Sequence, residues 1–221
     1  MALYKTATKI RNVYKGTVDV NTVYLGTQQI WPIPFTGALT SFTAVGAYTY
    51  NIPDDCRIID AVVCGGGGSG GGGGAYVFYS TNGLGGNAGA WATYRLVRGV
   101  DIPWSTTTIT GTVGAGGPLY GAAGGGNAGS ASTALATGWA GLSAAGGAGG
   151  GGAAGNNGQT RLNLTFDGRT YTGGAGGNFP GSAATGAGSQ PGGGGAGGNG
   201  WNTGANPGAR GGDGAAYFYA Y

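Results

Sequence analysis

The sequence predicts a mainly β protein. Short β hairpins form a small N-terminal module, residues 1–34. A glycine-rich β body follows, residues 35–221, in which strands alternate with packed polyproline II-like segments and loops, with little or no helix. Three observations predict this. Alternating apolar stretches bounded by turn signals recur along the chain. Glycine supplies 57 of the 221 residues, roughly four times its usual share of about 7%. No segment carries a sustained helical apolar period with caps.

The N-terminal module contains an internal repeat: Val13-Tyr-Lys-Gly16-Thr-Val-Asp-Val20 is echoed by Val23-Tyr-Leu-Gly26-Thr-Gln-Gln-Ile30. Each copy sets a Gly-Thr turn between β-prone runs, which predicts two hairpin-like units ending at Trp31-Pro32. A segment this small buries little surface by itself and needs the rest of the chain or a partner. Its candidate attachment residues are Val13, Tyr14, Val23, Tyr24, Ile30 and Trp31.

In the body, Tyr48, Tyr50 and Ile52 alternate on one face, and Asp54-Asp55 turns the chain toward the run from Ile58 to Cys64. This predicts a hairpin-like pair with an apolar face. Strands are also expected at residues 91–97, 106–113, 161–171 and 215–221. Asp167-Gly168 is a type I′ hairpin signal. Cys56 and Cys64 flank the second run; eight extended steps of about 3.3 Å hold them about 26 Å apart, too far for a disulfide. Buried free thiols in a reducing cytoplasm follow, with an interchain bridge as the alternative.

Between the strands, glycines fall three apart: Gly65, Gly68, Gly71 and Gly74; Gly83, Gly86 and Gly89; Gly146, Gly149, Gly152, Gly155 and Gly158; Gly192, Gly195 and Gly198, with Trp201 in register; Gly208, Gly211 and Gly214. A polyproline II helix has three residues per turn, so each series is a stripe without side chains along which another backbone can pack. Neighbouring helices would then satisfy each other's peptide groups. Irregular surface loops are the other arrangement, because every-third series also arise by chance in glycine-dense tracts.

Charge excludes several function classes. Lys5, Lys9, Arg11 and Lys15 against Asp19 put the whole net charge of +3 in the N-terminal module. The body balances six Arg against six Asp and has no clustered basic surface for nucleic acid. It has no His, Glu or Lys, which removes a catalytic triad and a His-rich or four-cysteine metal site. Adjacent Asp54 and Asp55 point apart in a turn, unlike a glycosidase pair. The glycine runs lack the Gly-Lys-Ser/Thr ending of a phosphate loop. The expectation is therefore a non-enzyme with no cofactor and no metal. Neither a secretory signal nor a membrane span is expected, since charges interrupt the N-terminus and no apolar run approaches about 18 residues.

Aromatic residues beside the glycine tracts are the candidate binding surface: Tyr76, Phe78, Tyr79, Trp139, Phe179 and Trp201. Flat rings there either stack on sugar faces and fill a partner's pockets, or act as lids on a small core. The closing Tyr217-Phe-Tyr-Ala-Tyr221 reads as a core strand.

The chain resembles the glycine-rich minor tail proteins of phages infecting actinobacteria such as mycobacteria. The resemblance rests on Val23-Tyr-Leu-Gly-Thr-Gln-Gln-Ile-Trp-Pro32 and on Phe42-Thr-x-x-Gly46-x-Tyr-x-Tyr-x-Ile-Pro53 running into Val62-Val-Cys-Gly-Gly-Gly-Gly68. Val97-Arg-Gly-Val-Asp-Ile-Pro103, residues 108–117 and Gly211-Gly-Asp-Gly-Ala-Ala-Tyr217 continue it in order. It implies a virion protein of the distal tail, assembled in the host cytoplasm, oligomeric, and in contact with other phage tail proteins. A host cell-envelope glycan or protein is the further partner implied, with a purely structural tail component as the alternative. The neutral body and the lack of a long apolar run give the expectation of no contact with nucleic acid and no membrane insertion, and the resemblance transfers no binding residues.

Overall fold

The computed structural model describes residues 36–75, 79–119, 121, 124–152, 155–179, 186–201 and 204–221, together with the backbone of four short strands within residues 14–31. The chain divides into two compact units, Met1–Thr36 and Gly37–Tyr221. In the first, β1 (Tyr14–Lys15) pairs antiparallel with β2 (Val18–Asp19), and β3 (Val23–Leu25) with β4 (Gln28–Trp31). Each copy of the repeat thus forms one hairpin.

The second unit contains β5 (Ala38–Phe42), β6 (Gly46–Asn51), β7 (Ile58–Cys64), β8 (Gly74–Ala75), β9 (Ser80–Thr81), β10 (Trp91–Val97), β11 (Thr108–Val113), β12 (Ser132–Ala136), β13 (Trp139–Ala144), β14 (Leu164–Phe166), β15 (Arg169–Tyr171), β16 (Gly200–Trp201), β17 (Gly204–Ala205) and β18 (Ala215–Ala220). Two four-stranded antiparallel sheets, in the orders β10-β7-β18-β5 and β13-β12-β11-β6, make a sandwich. Its core follows from alternation. Phe218 of β18 is fully buried and stacks on Tyr50 of β6 at 4.6 Å, with Tyr48 at 5.8 Å. Ile59, Val63, Leu96, Ile109 and Val113 are among the side chains buried with it. The closing segment is a core strand, as its aromatics predicted.

The other face of the first sheet carries the β14–β15 hairpin. Asp167 and Gly168 both have positive φ, 46° and 72°, as a type I′ turn requires. Tyr171 packs on Tyr217 at 5.2 Å, and the Arg169 guanidinium lies 3.7 Å over the Tyr219 ring.

Two expectations change. Residues 48–52 and 58–64 do not form a hairpin: β6 pairs with β11 and β7 with β10 and β18, so the two lie in opposite sheets. The turn between them moves the chain across the sandwich, and buried Arg98 holds it there. Its guanidinium donates to the carbonyls of Pro53 and Asp54 at 3.1 Å each, and to those of Trp104 and Thr106 at 3.0 and 3.3 Å. The β12–β13 pair was not anticipated, because its Ala, Ser and Gly residues give little strand signal. Cys56 and Cys64 are both free and buried.

The glycine tracts are packed helices. Along residues 65–73 the N–H groups turn through three neighbours in strict rotation. Gly65, Gly68 and Gly71 donate to Ala90, Asn87 and Leu84; Gly66, Ser69 and Gly72 to Ser130, Asn127 and Gly124; Gly67, Gly70 and Gly73 to Gly212, Ala209 and Asn206, all at 2.8–3.0 Å. Each step of three forward meets a step of three backward, so these neighbours run antiparallel. The carbonyls face further segments: Gly66 and Ser69 accept from Gly147 and Gly150, Gly68 and Gly71 from Gly195 and Gly198, and Gly67 from Gly117. Residues 65–73 are therefore enclosed on six sides, with every peptide direction committed.

This corrects the single-stripe reading. Enclosure draws on glycine in all three registers, with buried Ser69 and Ala196 as the exceptions: a Cβ on Gly65, Gly66 or Gly67 would lie 2.2, 2.2 or 2.1 Å from the carbonyl oxygens of Ala145, Ala115 and Gly193. Edge segments need it in two. Ala145, Ala148, Ala175 and Asn178 each occupy the exposed third position of a triplet whose other two members are glycine. The longest predicted series also breaks. Gly146 and Gly149 pack on the carbonyls of Gly129 and Gly126, Gly152 meets open space, and Gly158 packs on Gly194 after the chain has reversed.

Candidate functional site

The bundle decides where loops go. Five segments leave the sheets (residues 65–73, 114–117, 145–151, 172–178 and 192–198), and each is followed in the chain by one that runs back. The five reversals therefore gather at the end of the bundle away from the sandwich, between Gly73 and Gly83, Gly117 and Gly124, Gly151 and Asn157, Gly177 and Gly186, and Gly198 and Asn206. Neighbouring reversals touch. Gly200 of β16 donates to the Asn82 side chain at 3.0 Å, and Phe179 N–H donates to the Asn157 side-chain oxygen at 2.7 Å.

Of the aromatic residues singled out in the sequence, five fall in these reversals by position. Tyr76 and Phe78 lie outside the described residues, as does the side chain of Trp201, whose backbone belongs to β16. Tyr79 is 58% exposed. Phe179 is half-buried against Gly155, where a Cβ would come within 2.3 Å of its ring. Trp139 is a correction: it sits on β13, is buried, and packs against Tyr94 at 5.5 Å, so it belongs to the sandwich and not to a binding surface. In the N-terminal module Val13 lies outside the described residues. Tyr14, Val23, Tyr24, Ile30 and Trp31 all lie on strand backbone.

Around Phe179 is an open groove of about 580 Å³ lined by Gly155, Asn156, Asn157, Gln159 and Phe179. The amides were not picked out from the sequence. The signal was present as Asn156-Asn157, two polar residues set where the glycine triplet fails between Gly152 and Gly158.

Carboxylates converge elsewhere, on the hairpin face of the sandwich. Arg95 Nε donates to buried Asp60 at 2.9 Å and its amino group pairs with Asp167, which also accepts from the Tyr221 hydroxyl at 2.9 Å. Burial pushes the Asp60 carboxyl up despite Arg95, whereas Arg95 and then Tyr221 hold Asp167 below the usual carboxylate range. With the guanidinium between them, the pair ties the β14–β15 hairpin to the sheet. Among the described residues no three His, Cys, Asp or Glu side chains gather as metal ligands, and no helix is long and apolar enough to cross a membrane.

The chain is 45% identical over 207 residues to the Gene 32 protein of Mycobacterium phage L5, covering 90% of this chain and 88% of that one. It is 42% identical over 174 residues to the Gene 32 protein of Mycobacterium phage D29, covering 75% and 76%. These relatives support a phage origin. The glycine-rich domain pattern matches residues 42–221, the span that forms the sandwich and its bundle, and the chain therefore belongs to the glycine-rich domain family.

Proposed function

We propose that this phage-encoded chain is a non-catalytic minor tail protein, positioned at the tail tip or in a tail fibre, that contributes to recognition of the host surface. The observation that carries the reading is the gathering of five chain reversals on a bundle held by main-chain hydrogen bonds. Such a bundle is rigid without using side chains, so the reversals are free to vary in sequence while keeping their places. The N-terminal hairpins serve as the tail attachment, with other tail proteins and further copies of the chain as partners.

Adsorption tests it. Virions carrying Tyr79→Ala or Phe179→Ala should assemble normally and adsorb more slowly to host cells. Unchanged adsorption would overturn host recognition and leave the assembly or decoration role, which predicts that deletion of the chain blocks particle formation.

A further inference from the structure

We infer that the groove beside Phe179 is a binding site for a neutral saccharide. The inference rests on the host-recognition reading and names the chemistry of one of its contacts. The groove, about 580 Å³, is wide open to solvent, so it would take a ligand against its surface and leave one side in water. Among the described residues its lining combines one aromatic ring with three side-chain amides and no charged group. An apolar peptide would find a single ring. Phosphate or carboxylate would find no cation. Hydroxyl groups on a ring with an apolar face match both parts of the lining.

Hydrogen bonds already orient two of the amides. The Asn157 oxygen accepts from Phe179 N–H at 2.7 Å and the Gln159 oxygen accepts from Ala88 N–H at 3.0 Å. An amide whose oxygen is held by a backbone donor must turn its NH₂ group the other way. Both side chains are exposed, so both NH₂ groups are available as donors. Asn156 is also exposed.

The groove floor is fixed by the bundle. Asn156 carbonyl accepts from Gly197 at 3.1 Å, Gln159 N–H donates to Gly86 at 2.9 Å, and Gln159 carbonyl accepts from Gly194 at 2.9 Å. Preorganised donors cost little ordering on binding. Among the described residues, the groove sets the Phe179 ring against Gly155 and amides.

The test uses the full chain with neutral glucan, galactan, mannan and arabinan oligosaccharides of two to six sugars, and with sulfated and uronic-acid oligosaccharides as charged controls. A neutral oligosaccharide should shift the amide resonances of Asn156, Asn157, Gln159 and Phe179. Asn157→Asp and Gln159→Glu keep the acceptors for Phe179 and Ala88 while removing the NH₂ donors. Each should weaken binding at least tenfold with an unchanged melting temperature, and Phe179→Ala should do the same. Absence of any groove shift with all the neutral oligosaccharides overturns the inference, as does binding that survives Asn157→Asp and Gln159→Glu unchanged. The two readings fail separately. Loss of adsorption in Tyr79→Ala virions without saccharide binding overturns the groove alone. Saccharide binding that the variants abolish, with adsorption unchanged, keeps the groove and overturns its part in host recognition.

Discussion

An alanine at position 70 would place its Cβ 1.9 Å from the carbonyl oxygen of Ala196, and that oxygen belongs to a main chain with nowhere to move. Gly70→Ala should therefore cost about 3 kcal/mol or more in urea unfolding. Gly152 is its control: a Cβ there meets open space, so Gly152→Ala should stay within about 0.5 kcal/mol of the parent. Removing Arg95 acts through charge. Arg95→Met leaves Asp60 buried without its partner, and raises a carboxyl already shifted upward by burial. The folded state then binds a proton more readily than the unfolded state. Stability of the variant should be lower than the parent's at pH 7, and the deficit should shrink as pH falls through the raised value toward the ordinary carboxylate range. Urea titrations at pH 7 and pH 5 check this, and a deficit that does not change with pH would contradict it. Burial likewise pushes the Cys64 thiol up to about 12 and the Cys56 thiol upward. Both should resist a disulfide reagent at pH 8 in the native protein and react fully in denaturant.

Elements are held by devices of different legibility. Arg98 was invisible as a staple, because its partners are carbonyls of two turns brought together only by the sandwich. Arg98→Met removes at once every guanidinium bond that joins the two turns and should cost about 3 kcal/mol by thermal or urea unfolding. The strands with aromatic or β-branched alternation, such as β6, β7, β10 and β18, were readable. The β12–β13 pair was not, since Ala, Ser and Gly pack there without announcing a face. Pairing was less legible than strand position: the Asp54-Asp55 turn resembled a hairpin corner, whereas both edges of β7 are taken by β10 and β18 and β6 pairs with β11 in the other sheet. In the glycine helices the three-residue period was legible, but the number of glycine registers carried the fuller message. Glycine-rich runs in three registers go with a helix enclosed by neighbours, Ser69 and Ala196 being buried exceptions, and an exposed Ala or Asn every third residue goes with one facing water. The amides of residues 65–73 should accordingly exchange as slowly as those of β7, and rates near those of a random coil would contradict the packing.

At the scale of the whole molecule, the candidate site was half readable. Aromatic residues in glycine-rich surroundings pointed to the reversals, with Tyr79 and Phe179 in place and Trp139 claimed by the core. Asn156-Asn157 showed only as a break in the glycine pattern, and the orientation of Asn157 and Gln159 was unreadable because their partners, Phe179 and Ala88, come from other parts of the chain. The enclosed bundle also bears on how the protein responds to temperature. Its interior is mainly peptide groups bonded to peptide groups, so unfolding it hydrates amides more than hydrocarbon. Exposed apolar surface raises the heat capacity and exposed polar surface lowers it. The unfolding heat capacity change per residue should therefore fall below the usual 12–15 cal/mol/K or so, measurable by scanning calorimetry. A smaller change flattens the curve of stability against temperature, so the fold should keep a nearly even margin from cold water to the warmth of a growing host.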